Sequence, residues 1–402
     1  MTSYRAVLCH AEFRAMLAAH VLTMLAIILA DVSLAVLVYQ RTGSPLLSAI
    51  TFAVGFVPMG IGSVLFGGVG RTRPARDVLV ATELVVACLV ALMAVPGTPI
   101  PVVLLLLATK GFIDPIFTGT RAATLPDILG KDGFPFGRSL LRMIGQNAQL
   151  VGFAAGGLAL VFVTPTQALI AAAAGHALAA LVLLVGTRRH PPTLAESTSV
   201  HIGVLDGLRT LWAVPGIRPV LAMTWLPGFF AVAPEALAVP YSHLIDGGPV
   251  AAGLLLAGLP VGAVLGELLA GTRLSADRRA RLVVPMAAFG FVPVLGFAVE
   301  PSLPVAIALL VVAGLGTSYM IGLDQIAVAT IPDDVRRRTF TLLGGGMMVT
   351  QGLGFAAAGA LAEYLPIPVV VPLVALAGIG SVLLAGRSLT DLSARREAGV
   401  AE

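Results

Sequence analysis

Twelve apolar runs of 19 residues or more succeed one another along the chain, at 14–39, 46–68, 78–96, 101–122, 139–163, 166–187, 217–243, 249–272, 282–300, 303–329, 339–364 and 367–387. A hydrocarbon layer about 30 Å thick is crossed by roughly 20 helical residues rising about 1.5 Å each. Every run is therefore long enough to cross a membrane. Charged residues make up only 11% of the 402, against about 25% in a soluble domain. A net charge of only +4 on so apolar a chain excludes intrinsic disorder. Lipid cannot satisfy backbone N–H and C=O groups, and a membrane barrel would show short alternating strands instead. The expected fold class is an all-α membrane protein of twelve transmembrane helices, which tolerate the many Gly and Pro residues.

Several chemistries are excluded at this level. Cys9 and Cys88 lie 79 residues apart and the six histidines show no ligand spacing, so neither a disulfide framework nor a metal cluster is expected. No Gly-x-x-x-x-Gly-Lys-Ser/Thr stretch points to ATP. No nucleophile with a nearby base suggests an enzyme, and no cofactor is expected. The pI near 9.4 comes from basic residues scattered between apolar runs, whereas nucleic acid requires them gathered on one face. The first run follows Arg5 and Arg14 and lacks a small-x-small cleavage pattern, so it reads as a retained span. Twenty-three of the 25 Lys and Arg residues fall in the tails and even-numbered connectors or at the run ends that adjoin them. Positive charge is retained on the cytoplasmic side, which places both termini there.

The chain also repeats itself at about half its length. QLVGFAAGGLAL at 149–160 recurs as QGLGFAAAGALA at 351–362, an offset of 202, and ATLPD at 123–127 recurs as ATIPD at 329–333, an offset of 206. Two matches in the same order argue for two six-helix halves in parallel orientation, related by a pseudo-twofold axis. The expected domains are residues 1–187, a cytoplasmic linker at 188–216 containing HPPTLAESTS, and residues 217–402.

Twelve spans, parallel halves and a long central connector resemble the major facilitator superfamily. That family carries G-x-x-x-D-R-x-G-R-R after its second span. Here GGVGRTRPAR at 67–76 aligns Gly67 and Arg76 with the motif's ends, while Arg71 stands for its Asp, Pro74 for its second Gly, and Arg73 adds to the charge. The plainer reading of this loop is a basic anchor on lipid headgroups. The fifth run is similar to the exporter signature G-P-x-x-G-G, with Gly152, Phe153, Ala154, Ala155, Gly156 and Gly157 in its places. Small residues so spaced also let helices pack closely. YQRTGSPLL at 39–47 resembles bacterial drug-efflux members. The resemblance implies a secondary transporter of the plasma membrane that works by alternating access, with a site near mid-membrane.

Ionisable groups inside apolar runs are costly and need a partner, a cavity or a function. Asp31 lies in the first run, Lys110 and Asp114 in the fourth, Glu235 in the seventh and Asp324 in the tenth, the helices that line the cavity if the resemblance holds. Asp31 and Glu235 are offset by 204, between the two offsets of the repeat, and are expected to face each other across the twofold. Carboxylates in a partly dry cavity favour protonation, which a proton-coupling site requires; the alternative is packing within each half. Lys110 and Asp114, four apart, can pair on one helical face, beside a Pro115 expected to weaken or kink the helix. Arg121 and Asp324 are expected to form an inner-gate ion pair, or else to be solvated separately. Glu83, Glu267 and Arg142 are expected to be structural and to pair with basic loops, and His20 and His176 to be satisfied core histidines.

These readings converge on proton-coupled export of a small, mostly apolar compound by a monomer in the lipid bilayer. Import of a small metabolite is the alternative, with a membrane sensor or enzyme on the same scaffold behind it.

Overall fold

A computed structural model describes residues 4–66, 73–189, 212 and 216–399. Every regular element among the described residues is helical. The long stretches are α1 (Ala11–Thr42), α2 (Pro45–Leu65), α3 (Ala75–Met93), α4 (Ile100–Gly130), α5 (Gly133–Phe162), α6 (Pro165–Gly186), α7 (Ile217–Leu244), α8 (Gly248–Arg273), α9 (Val283–Val299), α10 (Leu303–Thr330), α11 (Thr339–Ala362) and α12 (Ile367–Leu389). Ten of these are long and apolar enough to cross a membrane, by length and composition. The other two are α3, which carries Arg76, Asp77 and Glu83 within 19 residues, and α9, a shorter stretch whose second part winds as a 3-10 helix.

The fourth and fifth runs differ from expectation. The helix continues through Pro115 and Pro126 and breaks only at Gly130, whose φ of 69° is left-handed, a conformation glycine adopts without steric penalty. The connector expected after residue 122 is thus largely helical. Pro115 leaves the carbonyl of Gly111 without its usual donor, but the flanking turns hold and the helix does not end there.

The described chain divides into two compact units, Met1–Gly43 with Ile61–Val200, and Ser44–Gly60 with His201–Glu402. In the first, α1, α3, α4, α5 and α6 bury Phe13, Met16, Leu79, Leu125 and Leu183 in one core. The second also contains the first part of α2, which lies along α11. There Phe52 stacks on Phe355 with ring centroids 5.2 Å apart, and Glu363 accepts hydrogen bonds from the Ser44 hydroxyl and, at 3.1 Å, from the Leu46 N–H.

The sequence repeat reappears in the packing within each unit. A methyl group added at Gly152 on α5 would lie 2.8 Å from Ile28 Cδ1 on α1, and one added at Gly354 on α11 would lie 2.9 Å from Val232 Cγ2. The glycines are 202 apart and their neighbours 204 apart. Gly156 continues the contact, facing Val32, and Gly157 is buried beside it. Gly152 is thus a close-approach position between helices, where a larger side chain would hold the backbones apart, and at Gly156 a methyl group would meet Val32 at ordinary contact distance.

Candidate functional site

The first unit gathers its intramembrane charges into one cluster. On α4, Lys110 Nζ donates to Asp114 Oδ2 at 3.1 Å, with side chains 6% and 19% exposed. The pair is the helical i, i+4 contact that the spacing predicts. Asp31 on α1 keeps partial exposure and lies within electrostatic range of Lys110, Asp114 and His176. About two turns further along α4, Arg121 hydrogen-bonds His20 Nδ1 and lies over the Phe117 ring, 5.4 Å from its centroid. His20 Nε2 is 3.1 Å from the Leu141 carbonyl, so this histidine is satisfied on both sides.

Glu83 corrects the expectation placed on it. Rather than pairing with a basic loop, it lies near the middle of α3 and is 2% exposed. Its Oε2 is 2.7 Å from His176 Nδ1 on α6 and its Oε1 accepts a 2.6 Å hydrogen bond from the Thr23 hydroxyl on α1. The three residues come from three helices, so no sequence spacing signals them. A polar group inside each apolar run is the only trace. His176 is engaged at one nitrogen only: its Nε2 is buried with no hydrogen-bond partner among the described residues.

The second unit has a cavity of about 940 Å³, counting its open part, lined by residues of α7 to α12. Glu235 supplies its carboxylate, Thr317 and Gln351 add polar groups, and Phe230, Phe291 and Met347 form much of the apolar wall. Its position follows from interruptions in the helices. Helix α7 is broken at Val232 and again at Leu237, so Glu235 sits in a four-residue turn of its own, where Pro234 has no N–H to give to the Phe230 carbonyl. Helix α10 tightens to 3-10 winding at Gly316–Ser318, and α9 does the same at Pro293–Val299. Interruptions of this kind free backbone polar groups, and a cavity within a membrane protein is where such groups are tolerated.

The two units have diverged at equivalent positions. The 204 offset takes Asp31 to Glu235 and Thr23 to Pro227, and the 206 offset of the ATLPD repeat takes Lys110 to Gly316 and Asp114 to Met320. All four second-unit residues line the cavity. The carboxylate is kept at the first of these positions, while Pro227, Gly316 and Met320 stand in the second unit where the first has Thr23, Lys110 and Asp114.

The remaining expected residues are placed as follows. Asp324 is exposed on α10 in the second unit, whereas Arg121 belongs to the first and bonds His20. Gly67 and Arg71 lie outside the described residues. Arg73 is exposed, and Arg76 lies 3.7 Å from Asp77, which also pairs with Arg189 at 2.7 Å. Arg142 is exposed and Glu267 is half-buried. Among the described residues no group of His, Cys, Asp or Glu could hold a metal ion.

A family model described as transmembrane secretion effector matches residues 2–397. The multidrug efflux pump Tap of Mycolicibacterium fortuitum is 24% identical over 341 residues, covering 81% of this chain and 83% of that one. Among solved structures, a mutant of the nucleoside transporter NupG superposes with a TM-score of 0.70 at 15% identity, covering 94% of this chain and 99% of that one. A structure described as giving insight into substrate recognition in proton-dependent oligopeptide transporters has a TM-score of 0.70 at 14% identity, with 94% and 98% covered. At these identities the structures show a shared fold.

Proposed function

The chain belongs to the transmembrane secretion effector family of the major facilitator superfamily, and from that premise we propose that it exports a small, mostly apolar compound, driven by protons. That it is a multi-pass membrane transporter, and not an enzyme, follows from the family and the relatives. The finer reading has twelve crossings in two six-helix halves, residues 1–187 and 217–402 with the linker at 188–216, related by a pseudo-twofold axis. In it α3 and α9 complete the count, both termini are cytoplasmic, and the transporter works as a monomer in the plasma membrane by alternating access.

The observation that carries this reading is the unequal equipment of the two units. The first holds an acid-rich charge cluster containing Asp31, Lys110 and Asp114; the second holds an acid-lined apolar cavity at the equivalent positions. Buried ionisable groups without a function are costly in a membrane, and a largely apolar cavity with few polar groups suits a small organic cargo. The first unit would then supply proton coupling and the second most of the cargo contacts, with Glu235 responding to both. Arg121 and Asp324 are proposed as inner-gate charges that break and form partnerships during the cycle. Export is favoured over import by the likeness to an efflux pump and by the exporter-like glycines of α5, with Gly152 packed closely on Ile28.

Inverted membrane vesicles test this. With a cargo identified by screening, Asp31→Asn combined with Glu235→Gln is expected to abolish uphill accumulation while leaving downhill exchange. Unimpaired uphill pumping by that variant would refute the coupling role.

A further inference from the structure

We propose that His176, held by Glu83 and Thr23, is a proton-binding group of the first unit, taking up its proton at Nε2. The proposal rests on the reading that transport is proton-coupled and adds a group on helices α3 and α6, apart from the acids singled out above.

The geometry is that of a carboxylate-oriented imidazole. Glu83 Oε2 lies 2.7 Å from His176 Nδ1, and the Thr23 hydroxyl, shared with the Ala19 carbonyl at 2.9 Å, lies 2.6 Å from the other oxygen; an ionised Glu83 can only accept from the ring. In the neutral ring the proton is therefore on Nδ1, and the lone pair is on Nε2. That nitrogen is the buried one without a partner. A proton added there makes an imidazolium already facing a carboxylate at hydrogen-bond distance, so the gained charge is compensated where it appears.

Charge balance across the cluster points the same way. The charged groups around the pair are Glu83 from α3, Asp31 from α1, and Lys110, Asp114 and Arg121 from α4. Lys110 and Arg121 are within electrostatic range of Glu83, and Asp31 is within range of His176. His20 is tied to Arg121 and the Leu141 carbonyl. Three acids face two fixed cations, which leaves the cluster one positive charge short when both histidines are neutral. A single proton on His176 closes that gap. Asp31 and Asp114 are the acids of the cluster with partial exposure, so they are the groups through which a proton can enter.

The test uses the full-length protein in lipid bilayers, labelled with 15N-histidine and 13C-glutamate, and solid-state NMR from about pH 5 to about pH 9. No cargo is required. The ring signal lost in a His176→Gln control assigns His176, and its contact with a glutamate carboxyl carbon is then read in the parent protein. At the alkaline end that ring is expected to carry its proton on Nδ1 alone, and on acidification Nε2 is expected to gain a proton while the contact persists. Glu83→Gln is expected to reduce the doubly protonated population at a fixed acidic pH about tenfold, the loss of one charge partner. A ring that stays neutral throughout overturns the proposal, as does one protonated on Nε2 at the alkaline end. If His176 stays neutral while Asp31→Asn with Glu235→Gln abolishes pumping, the assignment fails and the function stands. If His176 titrates as stated while that variant still pumps, the proposed coupling acids fail and the assignment stands.

Discussion

Replacing Asp114 with Asn isolates what the Lys110–Asp114 pair contributes. Asn keeps the shape and an acceptor oxygen but removes the charge opposite an ammonium group that is 6% exposed. Leaving a buried charge without its partner typically costs about 3–5 kcal/mol. Two features place this site below that range: the Asp114 side chain is 19% exposed, and Asp31 and Glu83 stay within range of Lys110. We expect a loss of about 2 kcal/mol for Asp114→Asn, in the range measured for hydrogen bonds to charged groups. Lys110→Met is expected to be destabilising too, since it leaves the three acids of the cluster facing only Arg121. The double variant removes both charges, so its cost is expected to fall short of the sum of the singles by about 1–3 kcal/mol, as for residues in one network. Equilibrium unfolding in mixed detergent micelles, followed by the tryptophan fluorescence and by helical circular dichroism, measures all three. Additive costs, or an Asp114→Asn variant within about 0.5 kcal/mol of the parent, would show that the pair contributes nothing and refute the cluster as an electrostatic unit.

Other consequences follow from the same structure. Gly152→Leu and Gly354→Leu are each expected to destabilise by about 1–3 kcal/mol through overpacking against Ile28 and Val232, read as lower thermal stability; parent-like melting of both would remove the glycines from the packing. Tyr241→Phe removes a buried 2.7 Å hydrogen bond to the Pro301 carbonyl and is expected to cost about 1–2 kcal/mol in the same unfolding assay. Glu235→Gln is expected to weaken binding of cationic compounds to the purified protein more than that of neutral ones, since only the former lose a charge partner in the cavity; equal losses in calorimetric titration would argue against the carboxylate as a cargo contact.

The membrane class, the approximate edges of most helices and the internal repeat could all be derived from the linear chain, because each depends on local composition or fixed spacing; of the twelve apolar runs, ten form helices long and apolar enough to cross a membrane. Lys110 with Asp114 was legible for the same reason, being an i, i+4 pair on one helix. The 204 offset between Asp31 and Glu235 is likewise a property of the linear chain. Glu83, His176 and Thr23 could not be joined in this way, since their residues come from three helices and meet only through the packing of α1, α3 and α6. The cavity was equally hidden: it forms where the breaks of α7, α9 and α10 come together and where Gly316 and Met320 stand in place of Lys110 and Asp114. Hydrophobic length decides which segments enter lipid, one segment at a time; only the rotation and depth at which those segments pack decide which buried polar groups find one another.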